Sequence, residues 1–209
     1  MKKKIIITGG LGYIGTELCK LYSGVSWHHD IVVIDNRFIS ERVNQIRNWN
    51  MEFVQGDILD KELIKKYCSE ADIVHHLAGV TSVPRTKSEA SGEQDKKIRE
   101  VGEKGTQNIL DVISDNCKII FPSTHVVYEG IDEIKTNIKE NETTKPVLSY
   151  STSKAVNEDQ LKKSGKNFVI LRLGSVYGYS TDSMRIDIMP NLFSKISSQN
   201  GTLKLFAGG

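Results

Sequence analysis

The sequence is short of the features that mark several protein classes. No run approaches the ~18 consecutive apolar residues of a membrane span, and the basic start Met1-Lys2-Lys3-Lys4 leads into only Ile5-Ile6-Ile7 before Thr8-Gly9-Gly10. That start reads as the approach to a strand rather than as a signal peptide. Cysteine is scarce: Cys19, Cys68 and Cys117 stand far apart without CxxC spacing, which argues against a disulfide framework or a zinc knuckle and fits a reducing cytoplasm. Charge of one sign is also missing, since 28 Lys and Arg against 26 Asp and Glu leave a net charge of +2. Nucleic acid and anionic membrane surfaces therefore meet no basic patch interleaved with aromatics. His28-His29 and His75-His76 are adjacent pairs without acidic companions. Neighbours on a strand point to opposite faces, so neither pair makes a metal chelate.

What is present suits one well-filled core: 209 residues, 38% of them hydrophobic, with no internal repeat. Short β-branched runs read as strands at Lys4–Ile7, Ile31–Ile34, Glu52–Val54, Ile73–His75, Lys118–Phe121 and Phe168–Leu171. Between them, Tyr13–Tyr22, Glu41–Asn48, Lys61–Cys68, Ile98–Ser114 and Tyr150–Lys163 read as helices. Such alternation predicts an α/β fold, a Rossmann-like doubly wound parallel sheet with helices on both faces. Two segments break the rhythm. Thr81 to Asp95 is polar, with Pro84 and Gly92, and reads as a loop, either a solvated connection or a substrate lid. Glu129 to Pro146 is charged and aperiodic and ends just before Tyr150.

Glycines at 9, 12 and 15 follow the first strand and open the first helix in Thr8-Gly9-Gly10-Leu11-Gly12-Tyr13-Ile14-Gly15. Glycine permits the tight turn and close backbone approach, and the helix N-terminus offers unpaired N–H groups to a pyrophosphate. Gly9, Gly12, Tyr13, Ile14 and Gly15 are therefore candidate dinucleotide-binding residues. Asp35 ends the second strand at the position from which a carboxylate accepts the adenosine ribose hydroxyls, which favours NAD over NADP. Arg37, two residues on, is either a surface arginine or a contact for a 2′-phosphate.

Tyr150-Ser151-Thr152-Ser153-Lys154 places a phenol and an ammonium one helical turn apart. A tyrosine with a pKa near ~10 is a poor base at neutral pH unless a positive charge stabilises the phenolate. Upstream, Ile120-Phe121-Pro122-Ser123-Thr124 brings hydroxyls to the C-terminal edge of a strand, where open parallel sheets bind ligands.

Taken together, Thr8 to Gly15, Asp35-Asn36, Gly56-Asp57-Ile58, His76-Leu77-Ala78-Gly79, Gly105-Thr106, Ser123-Thr124, Val127-Tyr128, Tyr150 to Lys154 and Arg172 to Gly178 resemble the extended short-chain dehydrogenase/reductase family, above all its nucleotide-sugar epimerases, dehydratases and reductases. The resemblance implies that Asp57 and Ile58 flank the adenine, that Asn36, Leu77, Ala78 and Gly79 pass along the cofactor, and that Tyr150 is the acid/base. It further implies that Lys154 holds the nicotinamide ribose and lowers the tyrosine pKa, that Thr124 binds the reacting sugar oxygen, and that two copies pair through the helices at Ile98–Ser114 and Tyr150–Lys163. The implied substrate is a nucleotide sugar.

The chain also departs from that family's pattern. His125 and Val126 stand where dehydratases carry acids, so epimerisation or 4-keto reduction fits better than 4,6-dehydration. Gly102 and Ser175 replace asparagines that support the site and touch substrate, which implies a sugar other than that of ordinary UDP-galactose epimerisation. A strand is expected at Leu203–Phe206. Residues 1–174 read as the NAD-binding domain, and 175–209 as the start of a truncated substrate-binding region. The leading expectation is an NAD-dependent epimerase working at C4. The alternatives are a reductase or dehydrogenase of a 4-keto sugar or small alcohol, and a non-catalytic dinucleotide-binding regulator.

Overall fold

The computed structural model describes residues 2–81, 92–180 and 183–204. Six parallel strands, β1 (Lys4–Thr8), β2 (Asp30–Asp35), β3 (Glu52–Gln55), β4 (Ile73–His76), β5 (Lys118–Thr124) and β6 (Asn167–Leu173), form one sheet in the order β3-β2-β1-β4-β5-β6. From β1 the chain crosses outward first to β2 and later to β4, so the C-terminal ends of β1 and β4 flank a crevice. Their β-branched residues alternate between two cores. Ile5, Ile7, Ile31 and Val33 pack with Cys19, Val43 and Ile46 from α1 (Tyr13–Ser23) and α2 (Ser40–Asn48). Ile6, Val32, Ile34 and Val74 pack on the other side with Ile64, Ile109 and Leu161 from α3 (Lys61–Cys68), α5 (Gly105–Leu110) and α6 (Ser149–Lys163). The three cysteines are free and buried, and burial pushes the Cys19 and Cys68 thiols up to about 12, so they behave as small apolar groups. Among the described residues no helix is long and apolar enough to cross a membrane.

Three sequence expectations are corrected. Helix begins at Gly92, inside the segment read as a loop, because α4 (Gly92–Arg99) has a single buried residue, Ile98, and so shows no apolar stripe. Its acids Glu93 and Asp95 lie in the first turn, where they complement the helix dipole; residues 82–91 lie outside the described ones. The helix then continues through a π turn at Glu100–Lys104 into α5 and stops at Leu110 rather than Ser114. Near the end, Leu203 and Lys204 form no strand, the rest of that expected strand lies outside the described residues, and a helix unread from sequence, α7 (Met189–Ser198), precedes it. Pro190 at its first turn was the available signal.

Helix α6 is unusual in burying mostly polar groups: Ser151, Ser153, Asn157 and Glu158, with Leu161 the apolar exception. Glu158 anchors it to the sheet. Its Oε1 accepts from Ser123 Oγ at 2.6 Å and Arg172 Nε at 2.9 Å, and its Oε2 accepts from Arg172 Nη2 at 2.6 Å. Arg172, on β6, also donates to the Tyr128 hydroxyl and, at 3.0 Å, to the Glu140 carbonyl. Burial pushes the Glu158 carboxyl up, but these donors outweigh it and hold the group below its ordinary range. Arg172→Met should therefore destabilise the fold by about 3–5 kcal/mol, because Glu158 stays buried without its main counter-charge. Arg172→Met with Glu158→Leu should recover most of that loss in urea unfolding. A double variant no better than the single would show that the pair is not the origin of the effect.

Candidate active site

Strand β1 ends in the glycine turn. Gly9 has φ +71°, and a Cβ there would lie 2.6 Å from the Ala78 nitrogen, so the turn and the end of β4 touch backbone to backbone. A Cβ on Gly15 would lie 2.4 Å from the Gly9 carbonyl oxygen, so α1 can start this close to the turn only with glycine there. Gly12 is the N-cap of α1, and no side chain caps it. Beneath the turn, the Ala78 N–H donates to Thr8 Oγ1 at 3.3 Å, and His76 bridges Thr8 Oγ1 and Thr106 Oγ1, each at 3.0 Å. Burial, then the Lys154 charge, pushes His76 down to about 3, so the ring stays neutral and serves as a structural link. His75 faces the other way, 2.8 Å from the Tyr22 hydroxyl.

A cleft of about 870 Å³ opens above these strand ends. One end is lined by Gly9, Gly12, Tyr13, Ile14, Gly15, Asp35, Asn36, Asp57 and Ile58, after β1, β2 and β3, and Leu77, Ala78 and Gly79 line it after β4. The other end holds Thr124, Tyr150 and Lys154. Every residue picked from sequence as a site candidate thus lines this one cleft. Asn36 Nδ2 donates to Asp57 Oδ2 at 3.0 Å, and Asp57 Oδ1 accepts the Leu59 N–H at 2.9 Å, tying the β2 and β3 ends together. Tyr13 donates to the Gly178 carbonyl at 2.5 Å, which pins residues after β6 onto α1. A glycine cradle that side chains would fill, an uncapped helix N-terminus and a cleft of this size suit a dinucleotide.

At the far end Thr124, itself 7% exposed, closes β5 and caps the following turn by accepting from the Val126 N–H at 3.3 Å. That contact leaves its hydroxyl proton to donate elsewhere. Lys154 Nζ donates to the Pro122 carbonyl at 2.8 Å and lies 4.4 Å from the Phe121 ring centre and 5.9 Å from that of Tyr150. The β4 ladder ends at His75 opposite Ile120, before Pro122. Burial pushes Lys154 down to about 8. Tyr150 lies above its ordinary value, because burial outweighs the charge of Arg185 that draws it down; the expected lowering by Lys154 is not found. Arg185, which sequence reasoning missed because no pattern marks it, thus supplies the cation acting on the phenol. It is paired with Asp187 at 2.5 Å, and both line the cleft.

Three further residues fix α6 here. Glu129 Oε1 accepts the Val147 and Leu148 N–H groups at 2.8 and 2.7 Å and the Ser151 hydroxyl, holding the helix start beside Tyr150. Burial raises the Glu129 carboxyl, but these three donors outweigh it and leave it below its ordinary range. Carbonyls in the π turn accept from α6: Gly102 from Asn157 at 3.1 Å and Glu103 from Gln160 at 3.0 Å. A Cβ at Gly102 would lie 2.5 Å from Ser153 Oγ, so the glycine found in place of asparagine is the residue this close approach accepts. His125, by contrast, bonds the Leu173 carbonyl at 3.1 Å and does not line the cleft.

A family model described as "NAD dependent epimerase/dehydratase family" matches residues 5–209. CDP-paratose 2-epimerase of Salmonella typhi is 33% identical over 205 residues, covering 84% of this chain and 58% of that protein. UDP-glucose 4-epimerase of Pasteurella multocida (strain Pm70) is 34% identical over 176 residues, covering 78% and 48%. The crystal structure of UDP-glucuronic acid 4-epimerase from Bacillus cereus in complex with UDP-glucuronic acid and NAD superposes with a TM-score of 0.77 at 26% identity, over 100% of this chain and 67% of that one. The chain spans roughly half the length of the curated relatives it matches.

The buried ammonium gives a stability test. Lys154 falls from 10.5 to about 8 on folding, so between those values the unfolded chain binds the extra proton and stability rises with pH. Lys154→Met should melt about 5 °C above the parent at pH 7, and the gap should close by pH ~10.5. A gap that does not change with pH would show that the ammonium carries no burial penalty.

Proposed function

This chain belongs to the NAD dependent epimerase/dehydratase family, and on that premise we propose that it carries the cofactor site and acid/base groups of an NAD-dependent nucleotide-sugar epimerase acting at a carbinol carbon, C4. The observation that carries the reading is the meeting of Tyr150, Lys154 and Thr124, from α6 and β5, at one end of the cleft whose other end is the glycine turn and Asp35. The glycine turn and the N-terminus of α1 hold the pyrophosphate, and Asp35 marks the adenosine end. NAD, when bound, supplies reversible hydride exchange with the carbinol carbon.

The protein's own groups handle the proton. Thr124 donates its free hydroxyl proton to the reacting sugar oxygen, fixing that oxygen beside Tyr150. Tyr150, as the phenolate, takes the carbinol proton as the carbonyl forms and, as the phenol, returns it when the carbinol re-forms. The Arg185 charge favours the phenolate that precedes and follows each turnover, and Lys154, oriented by the Pro122 carbonyl, lines the same end of the cleft. Positions 125 and 126 carry His and Val, and His125 faces Leu173, so the acids a water elimination needs are missing where dehydratases carry them. That supports epimerisation over dehydration, although a dTDP-D-glucose 4,6-dehydratase of Dictyostelium discoideum is 30% identical over 197 residues.

The test is incubation of the NAD-loaded chain with pairs of 4-epimeric UDP-sugars, followed by NMR of the sugar protons. Interconversion without net NADH formation is expected. Stoichiometric formation of NADH would instead assign a dehydrogenase, the reverse of a 4-keto reductase, and NADH binding without turnover of any pair a non-catalytic dinucleotide-binding protein. Tyr150→Phe should lower kcat by about a hundredfold or more while retaining NADH binding. Unchanged turnover in that variant would remove Tyr150 from the mechanism.

A further inference from the structure

The C-terminal end of β2 carries an arrangement that NAD recognition alone does not use. Asp35 is buried, with its side chain 4% exposed, and its oxygens already face four donors. Oδ2 accepts from the Leu11 N–H at 3.0 Å and Arg37 Nη2 at 3.4 Å, while Oδ1 accepts from the Arg37 N–H at 3.0 Å and Arg37 Nε at 3.2 Å. A carboxylate offers about four lone-pair directions, so the ribose hydroxyls find none vacant. What Asp35 offers the cleft is covered by the Arg37 guanidinium, whose side chain is 54% exposed. That guanidinium reaches toward the glycine turn, since a Cβ on Gly12 would lie 4.0 Å from Arg37 Nη2. Arg42 lines the same end of the cleft and donates to the Leu11 carbonyl.

A carboxylate at the end of the second strand repels a 2′-phosphate when it faces the ribose directly. Here a half-exposed guanidinium stands in front of it, and one arginine both neutralises Asp35 and presents its planar fork to whatever occupies the 2′ position. We infer that the adenosine end of this cleft takes 2′-phosphorylated dinucleotides as well as NAD, with Arg37 as the phosphate contact. The inference rests on the reading of the cleft as a dinucleotide site. It also assigns Arg37 opposite effects on the two ligands. Ribose hydroxyls must displace the guanidinium from Asp35, whereas a phosphate gains from it.

The experiment is titration of the full chain with NADH and with NADPH, read by nicotinamide fluorescence, in the parent, Arg37→Ala and Arg37→Lys. In the parent the two dissociation constants should lie within about tenfold of each other. Arg37→Ala should weaken NADPH by about tenfold or more and leave NADH as tight or tighter, and Arg37→Lys, which keeps the charge without the fork, should fall between for NADPH. The NADPH affinity of the parent should also drop more steeply with added salt than its NADH affinity. NADPH binding about a hundredfold weaker than NADH in the parent, or NADPH binding indifferent to Arg37→Ala, overturns the inference and leaves the dinucleotide site standing. Failure of both ligands to bind the parent overturns the site and the inference together.

Discussion

Helix α6 has to be held without an apolar face, and the geometry of the cleft follows from how this is done. Its buried side chains are chiefly Ser151, Ser153, Asn157 and Glu158, and buried polar groups are tolerated only when bonded. The partners come from four directions. Glu129 holds the N-terminus, the π turn at Glu100–Lys104 offers the Gly102 and Glu103 carbonyls, Pro122 takes Lys154, and Arg172 with Ser123 takes Glu158. Hydrogen bonds are directional where hydrophobic contact is not. The helix therefore has one depth and one rotation against β5, and Tyr150 and Lys154 inherit both.

The same logic operates at the crevice between β1 and β4. Gly9 lets the turn lie against Ala78, and the bonds from Ala78 through Thr8 and His76 to Thr106 carry that position into α5. Helix α5 continues the π turn that receives α6. The glycine turn and the Tyr150 helix are thus joined by a chain of short polar contacts beneath the cleft. His76 can serve in that chain because burial keeps it neutral, with one ring nitrogen to donate and the other to accept. Its charged form would have two donors and a penalty for burial.

Much of this was legible in the sequence for a physical reason: parallel strands buried on both faces must be β-branched, and the glycines at 9, 12 and 15 occupy places where a Cβ has little or no room. The Tyr150/Lys154 spacing and the Ser123-Thr124 step were equally visible, because strand ends and helix faces follow from chain position. What stayed hidden depends on partners distant in sequence. Helix α4 has one buried residue, so periodicity could not reveal it. Gly102 reads as the loss of an asparagine until Ser153 is seen packed against it. Arg185 has no motif, and its effect on Tyr150 exists only because the segment after β6 returns to α1 through Tyr13 and Gly178. Glu158 did leave a trace, four residues beyond Lys154 and so on the same helix face.

The charges around Tyr150 bear on which chemistry the cleft suits. Arg185 acts on the phenol, Lys154 lies close to its ring, and both are cationic or partly so. Asp187 also lines the cleft, but Arg185 holds it in an ion pair. Burial holds the Tyr150 proton on and the Arg185 charge works against it, and a group that can take a proton and give it back is what oxidation and re-reduction of a carbinol require. Expelling a hydroxyl as water needs in addition an acid aimed at the leaving oxygen, and the position after Thr124 is held by a histidine turned toward the Leu173 carbonyl. The polar scaffold that fixes α6 and the electrostatics it creates therefore favour the same reaction class. A carboxylate placed at position 125 could not keep the bond to Leu173, since it and that carbonyl are both acceptors.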